Sequence, residues 1–236
     1  MIARGDLAVE IPAERIPLNQ KRLVQKCIER RKPEIIANQM LQSMITSPRP
    51  TRAEISDVGN AFLEGTDAIM LSAETANGQY PLEAVQVMTR VALEIEAGHN
   101  TFNDIPYEQD NTVTSYLAKA AVKASMRLHT EALVADTITG KTILSLSSYR
   151  GKNPIFAQCY SKHILRQLAL SYGVVAHYIQ QDLTSHQFLH TALTRLVAEG
   201  YFSEESLITV LAGHFGAECG ASYIEISSAI NMLKRP

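Results

Sequence analysis

Asp6 is the first residue of the chain whose type and setting could do chemistry. It follows a short apolar segment and Gly5, near the start of the sequence. A carboxylate at the carboxyl end of a barrel strand is well placed to bind a hard divalent cation such as Mg²⁺, which often takes only one or two ligands from protein. Gly5 would let the backbone approach a ligand closely and offer N–H groups to a carboxylate. On these residues alone, a turn aspartate that caps the next helix is the simpler interpretation.

A second group of polar residues could bind an anion in the middle of the chain. The group follows an apolar segment, precedes a predicted helix, and consists of Thr137, Thr139, Gly140, Lys141 and Thr142. Backbone N–H groups and the helix dipole favour an anion at such a position, the hydroxyls add donors, and the lysine adds a positive charge. The alternative is a helix cap of small polar residues that binds no ligand, and spacing alone does not exclude it.

Residues 1–98 are predicted to form three βα units of a parallel sheet. Short apolar segments alternate with helical patterns over this range, which is the rhythm of βαβ folds. The predicted strands are Met1–Leu7, Glu34–Asn38 and Ala68–Ser72. The predicted helices are Asn19–Arg31, a helix from the capping-box pair Thr51 and Glu54 to about Leu63, and Pro81–Ala97. Three units cannot close a parallel barrel, so we expect edge strands without partners.

Helical spacing also predicts which residues of two of these helices face the core. The apolar positions on the predicted inner faces are Leu23, Val24 and Cys27 in one helix and Leu82, Val85, Met88, Ala92 and Ile95 in the other.

The second half of the chain is predicted to be a complete, small, doubly wound domain. Residues 99–111 are polar and lack periodicity, which indicates a linker, and residues 112–236 then alternate again. The predicted helices are Val113–Leu128, Lys162–Leu170 and Ser185–Ala198, and the predicted strands are Ala132–Asp136, Pro154–Gln158, Val174–Tyr178, Leu207–Ala212 and Tyr223–Ser227. Only a short loop joins the last two strands, so we expect them to be antiparallel in a mostly parallel five-stranded sheet.

Composition excludes several classes of partner and site. Lys and Arg number 22 against 24 Asp and Glu, and this balance gives no general attraction to nucleic acid or to an anionic membrane. No apolar run approaches the roughly 18 residues that a membrane span needs. No signal peptide is recognised, and the three cysteines, Cys27, Cys159 and Cys219, are far apart. We therefore expect a cytoplasmic protein without disulfides or a zinc site.

Four consecutive motifs in residues 1–81 carry a family resemblance. They read MIARGDLAVE from Met1, IANQML from Ile36, PRPTRAE from Pro48 and IMLSAETANGQYP from Ile69. In this order and at these spacings they resemble pyruvate kinase. The resemblance covers nearly the whole chain but only the C-terminal half of the family's length. It implies an α/β protein in which the last three units of a (β/α)8 TIM barrel precede the family's C-terminal domain.

The resemblance also implies roles for particular residues. Asp6 would be one of two acidic Mg²⁺ ligands, and Gly5 would bind the substrate carboxylate. Asn38 stands where the family has a threonine that contacts substrate and helps to relay a proton; asparagine can hydrogen-bond but offers no hydroxyl proton. Ser72 would be catalytic, beside Glu74 and Asn77 near the nucleotide.

Further residues of the implied site lie outside this sequence. The second acidic ligand and the catalytic lysine belong to the barrel strand just upstream. The Arg, Asn and Ser positions that hold the phosphate and K⁺ also lie outside this sequence. In the C-terminal domain, the loop from Thr137 to Thr142 matches the place where the family binds a sugar-phosphate activator. The implied partners are phosphoenolpyruvate or pyruvate, ADP or ATP, and further copies of the chain, since the family forms tetramers.

The implied reaction is phosphoryl transfer from phosphoenolpyruvate to ADP, followed by protonation of the enolate to pyruvate. We expect this polypeptide alone to be inactive, because the lysine and half of the metal site are not in it. The alternative is a non-catalytic module that binds a phosphorylated metabolite through its C-terminal domain and docks onto a partner. A third explanation is that the sequence is part of an ordinary full-length enzyme.

Overall fold

The chain divides into two compact units, Met1–Thr101 and Phe102–Pro236. The computed structural model describes residues 1–37, 40–98, 102–105, 112–180, 185–213 and 220–234. Each unit is α/β, and each is described separately below. No helix in the described part of the chain is both long and apolar enough to span a membrane.

The first unit contains a three-stranded parallel sheet of very short strands. The strands are β1 (Ile2–Ala3), β2 (Ile35–Ala37) and β3 (Ala68–Ile69), in the spatial order β1-β2-β3. Ile2 pairs with Ile36, and Ile36 pairs with Ile69, so the three strands end at the same edge of the sheet. This arrangement confirms the predicted parallel pairing and chain order of the strands.

The predicted length of the first strand is wrong. β1 ends at Ala3, and the residues from Arg4 to Glu10 form a helix, α1, instead of continuing the strand to Leu7. Gly and Asp are poor strand formers, and an acidic side chain such as that of Asp6 is favoured in the first turn of a helix by the helix dipole. The third strand is also shorter than predicted, although the Met70 N–H still donates to the Ile36 carbonyl oxygen at 3.0 Å.

Four more helices complete the first unit. They are α2 (Ile16–Glu29), α3 (Arg52–Glu64), the single turn α4 (Ala73–Ala76) and α5 (Pro81–Gly98), with 3₁₀ turns at Ala13–Arg15 and Gln42–Ile45. The predicted capping box of α3 is confirmed. The Glu54 N–H donates to the Thr51 hydroxyl at 3.2 Å, and the Thr51 N–H donates to the Glu54 carboxylate at 2.8 Å.

The predicted inner faces of α2 and α5 are partly wrong. Leu82 and Val85 are 65% and 48% exposed, and Leu23 is also exposed. The residues that α5 buries form a neighbouring stripe, Ala84, Val87 and Met88, while α2 buries Gln20, Val24 and Ile28. Both stripes keep helical spacing but are rotated about the helix axis relative to the predicted faces, because apolar periodicity gives the spacing of a buried stripe and not its rotation.

The second unit is built on a five-stranded sheet that is parallel except at one edge. Its strands are β4 (Ala132–Thr137), β5 (Ile155–Cys159), β6 (Val174–Tyr178), β7 (Leu207–Ala212) and β8 (Tyr223–Ser228). The spatial order is β6-β5-β4-β7-β8, and only β7 and β8 are antiparallel. The predicted mostly parallel five-stranded sheet and its antiparallel last pair are therefore confirmed.

Helices of the second unit cover the sheet and bury its central strands. They are α6 (Val113–Leu128), α7 (Lys141–Ser148), α8 (Lys162–Leu168), α9 (Ser185–Ala198) and α10 (Ala229–Leu233). The main apolar cluster joins Val134, Phe156 and Val210 of the sheet to Leu193 and Leu196 of α9. Strands β4, β5 and β7 are buried almost throughout, as expected for parallel strands between helices.

Four residues of the predicted linker are attached to the second unit. The Lys119 side chain on α6 is only 4% exposed, and its ammonium group donates to the Ile105 carbonyl oxygen at 2.7 Å and lies 2.5 Å from the Asp104 carboxylate. The Asn103 N–H donates to the Tyr149 carbonyl oxygen at 3.0 Å. Ile105 is buried, so residues 102–105 pack as part of this unit. The other residues of the predicted linker, 99–101 and 106–111, lie outside the described residues.

Because Asp104 pairs with Lys119, we expect its contribution to stability to depend on pH. The hydrogen bond from Lys119 lowers the pKa of Asp104. Burial opposes this shift, and the charges of Lys119 and Lys123 add to the lowering. A carboxyl group with a lowered folded-state pKa stabilises the fold above its unfolded pKa of about 3.9, and this contribution is lost as the pH falls through the folded-state pKa. We expect Asp104→Asn to lower the free energy of unfolding by about 1 kcal/mol at pH 7, and by less below about pH 4.

Urea unfolding of the full chain at a series of pH values measures this difference. Glu131→Gln, at an exposed position, is the matched control and should change little at any pH. An Asp104→Asn effect that is the same at pH 3 as at pH 7 would contradict the ion-pair explanation.

Candidate active site

The carboxyl ends of β1, β2 and β3 lie side by side, and each is followed by residues that sequence reasoning assigned to a site. Gly5 and Asp6 follow β1 in the first turn of α1, and both are exposed. Ser72 and Glu74 follow β3. Asn38 directly follows β2 but lies outside the described residues, so its predicted substrate contact stays a prediction.

The Asp6 carboxylate is exposed at this edge of the sheet. In the part of the chain that the structure describes, its side chain has no hydrogen bond or ion pair. Neither is it used as a cap, since no side-chain cap hydrogen bond is present at the start of α1. The structure thus gives no support to the alternative that Asp6 is a capping residue, and it leaves the carboxylate oxygens open to a ligand.

Arg4 ties the end of β1 to the segment that follows β2. One guanidinium nitrogen lies 3.6 Å from the Met40 sulfur, and another donates to the Asp57 carboxylate of α3 at 2.6 Å. Sequence reasoning gave Arg4 no role. Its position between a strand and Gly5 was a signal that it lies at the site edge, but nothing in the sequence identified Asp57, 53 residues away, as its partner.

Glu74 ties the segment that follows β3 to the segment that follows β2. The side chain is 3% exposed, and its two carboxylate oxygens accept the backbone N–H groups of Leu41 at 3.2 Å and Ser72 at 2.8 Å. The carboxylate is therefore buried against the protein backbone, and the predicted position of Glu74 near a nucleotide stays a prediction.

Ser72 and Asn77 bracket α4 and are both exposed. Ser72 is the N-cap residue, but its hydroxyl makes no capping hydrogen bond and has no partner among the described residues. Asn77 is the C-cap residue, and its N–H donates to the Ala73 carbonyl oxygen at 3.0 Å. Both side chains are therefore accessible to a ligand at this edge.

The Glu54 carboxylate holds the 3₁₀ turn that follows Leu41. It accepts the Ser43 N–H at 2.7 Å and the Ser43 hydroxyl at 2.5 Å, in addition to the two Thr51 contacts of the capping box. Burial raises the pKa of Glu54, but the hydrogen bonds from Ser43 and Thr51 outweigh it and lower the pKa overall. One acidic side chain thus fixes both the start of α3 and the turn beside the site.

The second predicted site lies at the carboxyl end of β4, where α7 begins. The Thr137 hydroxyl accepts the Gly140 N–H at 2.8 Å and closes the turn. Gly140 is the N-cap residue of α7, has a φ of +87°, and makes no side-chain cap. Thr139 and Lys141 are exposed and have no partner among the described residues, and Thr142 is half-buried.

Different residues of this loop fit the helix-cap interpretation and the anion-site interpretation. Thr137 has a structural role in the turn, as the helix-cap interpretation expects of a small polar residue. Gly140 at the N-cap supplies no side-chain cap to α7, and the exposed Thr139 and Lys141 have no partner among the described residues. The loop also lies where the order of strands reverses, since β4 is flanked by β5 and β7, and such switch points are common ligand sites in α/β sheets.

A half-buried carboxyl group lies just before this loop and was missed by sequence reasoning. Burial raises the pKa of Asp136, and the Tyr160 hydroxyl donates to its carboxylate at 3.1 Å, which opposes the shift. Burial and the nearby Asp136 charge raise the pKa of Tyr160 in turn. The pair ties the carboxyl end of β4 to the residue that follows β5.

Comparisons with known proteins agree for both units. Residues 1–85 match the family model described as pyruvate kinase, barrel domain, and residues 115–227 match pyruvate kinase, alpha/beta domain. A pyruvate kinase of Borreliella burgdorferi is 38% identical over 239 residues, covering 99% of this chain and 50% of the relative. A pyruvate kinase of Geobacillus stearothermophilus is 41% identical over 225 residues, covering 94% of this chain and 38% of the relative.

A solved structure shows the same similarity in three dimensions. The crystal structure of a pyruvate kinase from Cryptosporidium parvum superposes with a TM-score of 0.84 at 32% sequence identity, covering 96% of this chain and 46% of that one. The chain therefore spans half or less of the length of these relatives.

Because the Thr137 hydroxyl closes this turn, we expect its removal to lower the free energy of unfolding. Thr137→Val keeps the shape of the side chain but removes the acceptor of the Gly140 N–H, and a buried donor without a partner costs about 1–3 kcal/mol. We expect the free energy of unfolding to fall by that amount in urea denaturation. Thr139→Val, at an exposed position two residues on, should stay within about 0.5 kcal/mol of the parent chain. Equal effects of the two substitutions would refute the structural role of Thr137.

Proposed function

The chain belongs to the pyruvate kinase family, and we propose that it supplies the C-terminal part of an enzyme that transfers the phosphoryl group of phosphoenolpyruvate to ADP, giving pyruvate and ATP. The observation that carries this proposal is the common edge of β1, β2 and β3, where the Asp6 carboxylate is exposed beside the segments that follow the other two strands. We assign the three strands and their helices to the last three units of the family's eight-unit barrel.

Asp6 is the residue of this chain that would hold Mg²⁺. An exposed carboxylate without a protein partner fits a cation that is bound through one or two carboxylates, water and substrate phosphates. No group of three or more His, Cys, Asp or Glu side chains within the described residues is arranged to hold a metal ion, so the remaining ligands must come from elsewhere. When bound, Mg²⁺ would neutralise negative charge on the transferred phosphoryl group.

Other residues at the edge have proposed roles in binding and proton transfer. Gly5, without a side chain, would let the substrate carboxylate approach the backbone. The Asn38 amide can hydrogen-bond to substrate but has no hydroxyl proton to deliver. The exposed Ser72 hydroxyl is the remaining candidate for proton delivery to the enolate, directly or through water. Asn77 would lie near the nucleotide, and the K⁺ site would lie outside this chain.

This polypeptide by itself is proposed to be catalytically incompetent. The family's catalytic lysine and second acidic Mg²⁺ ligand precede the motif that contains Asp6 and are not among these 236 residues. Phosphoryl transfer depends almost entirely on positioning and charge neutralisation, so a site that lacks these two groups lacks most of its chemistry. We propose a cytoplasmic location and assembly with further copies of the chain, as in the family.

The second candidate function is that of a module that binds a phosphorylated metabolite. The observation in its favour is the start of α7, where Lys141 and Thr139 are exposed beside an N-cap residue, Gly140, that supplies no side-chain cap. A sugar phosphate is the proposed ligand, because the loop offers N–H groups, hydroxyls and a positive charge to a phosphate. In a complete kinase the same loop would be the effector site.

Manganese binding tests the role of Asp6. Mn²⁺ added to the ¹⁵N-labelled chain should broaden the amide resonances of Gly5, Asp6 and the segment after β2, because these surround the proposed metal position. Asp6→Asn should abolish the broadening. Glu10→Gln, another exposed acidic residue of α1, should leave it unchanged and serves as the matched control. Broadening that persists in Asp6→Asn would reject Asp6 as the ligand.

Calorimetric titration with a panel of sugar monophosphates and bisphosphates tests the second candidate. We expect Lys141→Ala to weaken binding by about tenfold or more, because one charge-assisted contact is worth about 1.5–3 kcal/mol. Lys152→Ala, an exposed lysine before β5 at the opposite edge of the sheet, should not change the affinity. If no sugar phosphate binds, or if both substitutions act equally, the loop is not the site.

A further inference from the structure

Glu74 lies where two segments of the proposed active site meet. It belongs to α4, the single helical turn that follows β3, and its side chain is 3% exposed. Its carboxylate accepts one backbone N–H from each side: Leu41, four residues beyond the end of β2, and Ser72, three residues beyond the end of β3. One side chain therefore joins the two segments through their backbones.

The chemistry of this junction requires a carboxylate. Both partners are backbone donors, and an ionised carboxylate has two oxygens that only accept hydrogen bonds. A glutamine of the same shape would direct an NH₂ group, itself a donor, at one of the two N–H groups. Leu41 is fully buried, so its N–H would have no solvent to replace the lost acceptor.

A second contact joins the same two segments next to the first. The Gln79 N–H donates to the Ile45 carbonyl oxygen at 2.8 Å, which connects the residues after α4 to the 3₁₀ turn after Leu41. Between these two links lies Gly78, where a Cβ atom would collide with the Glu74 carbonyl oxygen. The close approach at Gly78 keeps α4 and the following turn tight, so Glu74 is held in one place relative to the 3₁₀ turn.

We propose that Glu74 is a positioning residue, which fixes Ser72 against the segment after β2, and that it is not a nucleotide contact. The proposal rests on the proposed function only in treating these segments as the substrate edge. Glu74 acts through the backbones of Leu41 and Ser72, and at 3% exposure its carboxylate faces the protein instead of a ligand.

The test measures the two amides in the full chain without any ligand, so its result does not depend on whether the chain binds substrate. Amide hydrogen exchange, read by NMR, should be about tenfold or more faster at both Leu41 and Ser72 in Glu74→Gln. Glu74→Asp, one methylene shorter with the charge retained, should restore slow exchange at one of the two amides. Glu83→Gln, an exposed acidic residue in the first turn of α5, is the matched control and should change neither.

Each outcome decides the proposal. Unchanged exchange at both amides in a folded Glu74→Gln chain overturns it. If Glu74→Gln does not fold, the parent chain itself is measured. Scalar coupling across the hydrogen bonds from the Leu41 and Ser72 nitrogens to the Glu74 carboxyl carbon supports the proposal, and its absence at both overturns it.

Discussion

The parallel register of β1, β2 and β3 is the constraint on which the proposed active site depends. These strands are only two or three residues long, so their ladder supplies few hydrogen bonds. Side chains beyond the strand ends supply further contacts between the segments that follow the strands. Arg4 connects the end of β1 to the segment after β2, and Glu74 connects the segments after β2 and β3. The edge that presents Asp6 and Ser72 is therefore held by side chains that do not themselves touch substrate in this account.

In the second unit, longer strands position the loop of the candidate site. Its strands are five or six residues long and its central strands are buried, so the sheet itself positions the loop at the start of α7. Thr137 and Gly140 shape that loop, and Lys141 and Thr139 remain exposed. Lys119 attaches residues 102–105 to the same unit, which fixes the point from which the chain enters it.

The sequence predicted the order and type of the main strands and helices because apolar periodicity and capping residues are local signals. It overestimated β1, since Arg4, Gly5 and Asp6 allow either a strand end or a helix start. It placed Leu82 and Val85 inside, because periodicity gives the spacing of a buried stripe but not its rotation. The role of Glu74 could not be read, because its partner at Leu41 is a backbone group 33 residues away.

Turnover by the isolated 26.0 kDa chain tests the central claim most directly, namely that it carries only part of an active site. Highly purified chain would be incubated with phosphoenolpyruvate, ADP, Mg²⁺ and K⁺, and pyruvate formation would be followed. The account predicts that the parent chain forms pyruvate no faster than the Asp6→Ala chain does. Pyruvate formation that co-purifies with the chain and disappears in Asp6→Ala would contradict it, and would mean that these residues alone assemble a working site.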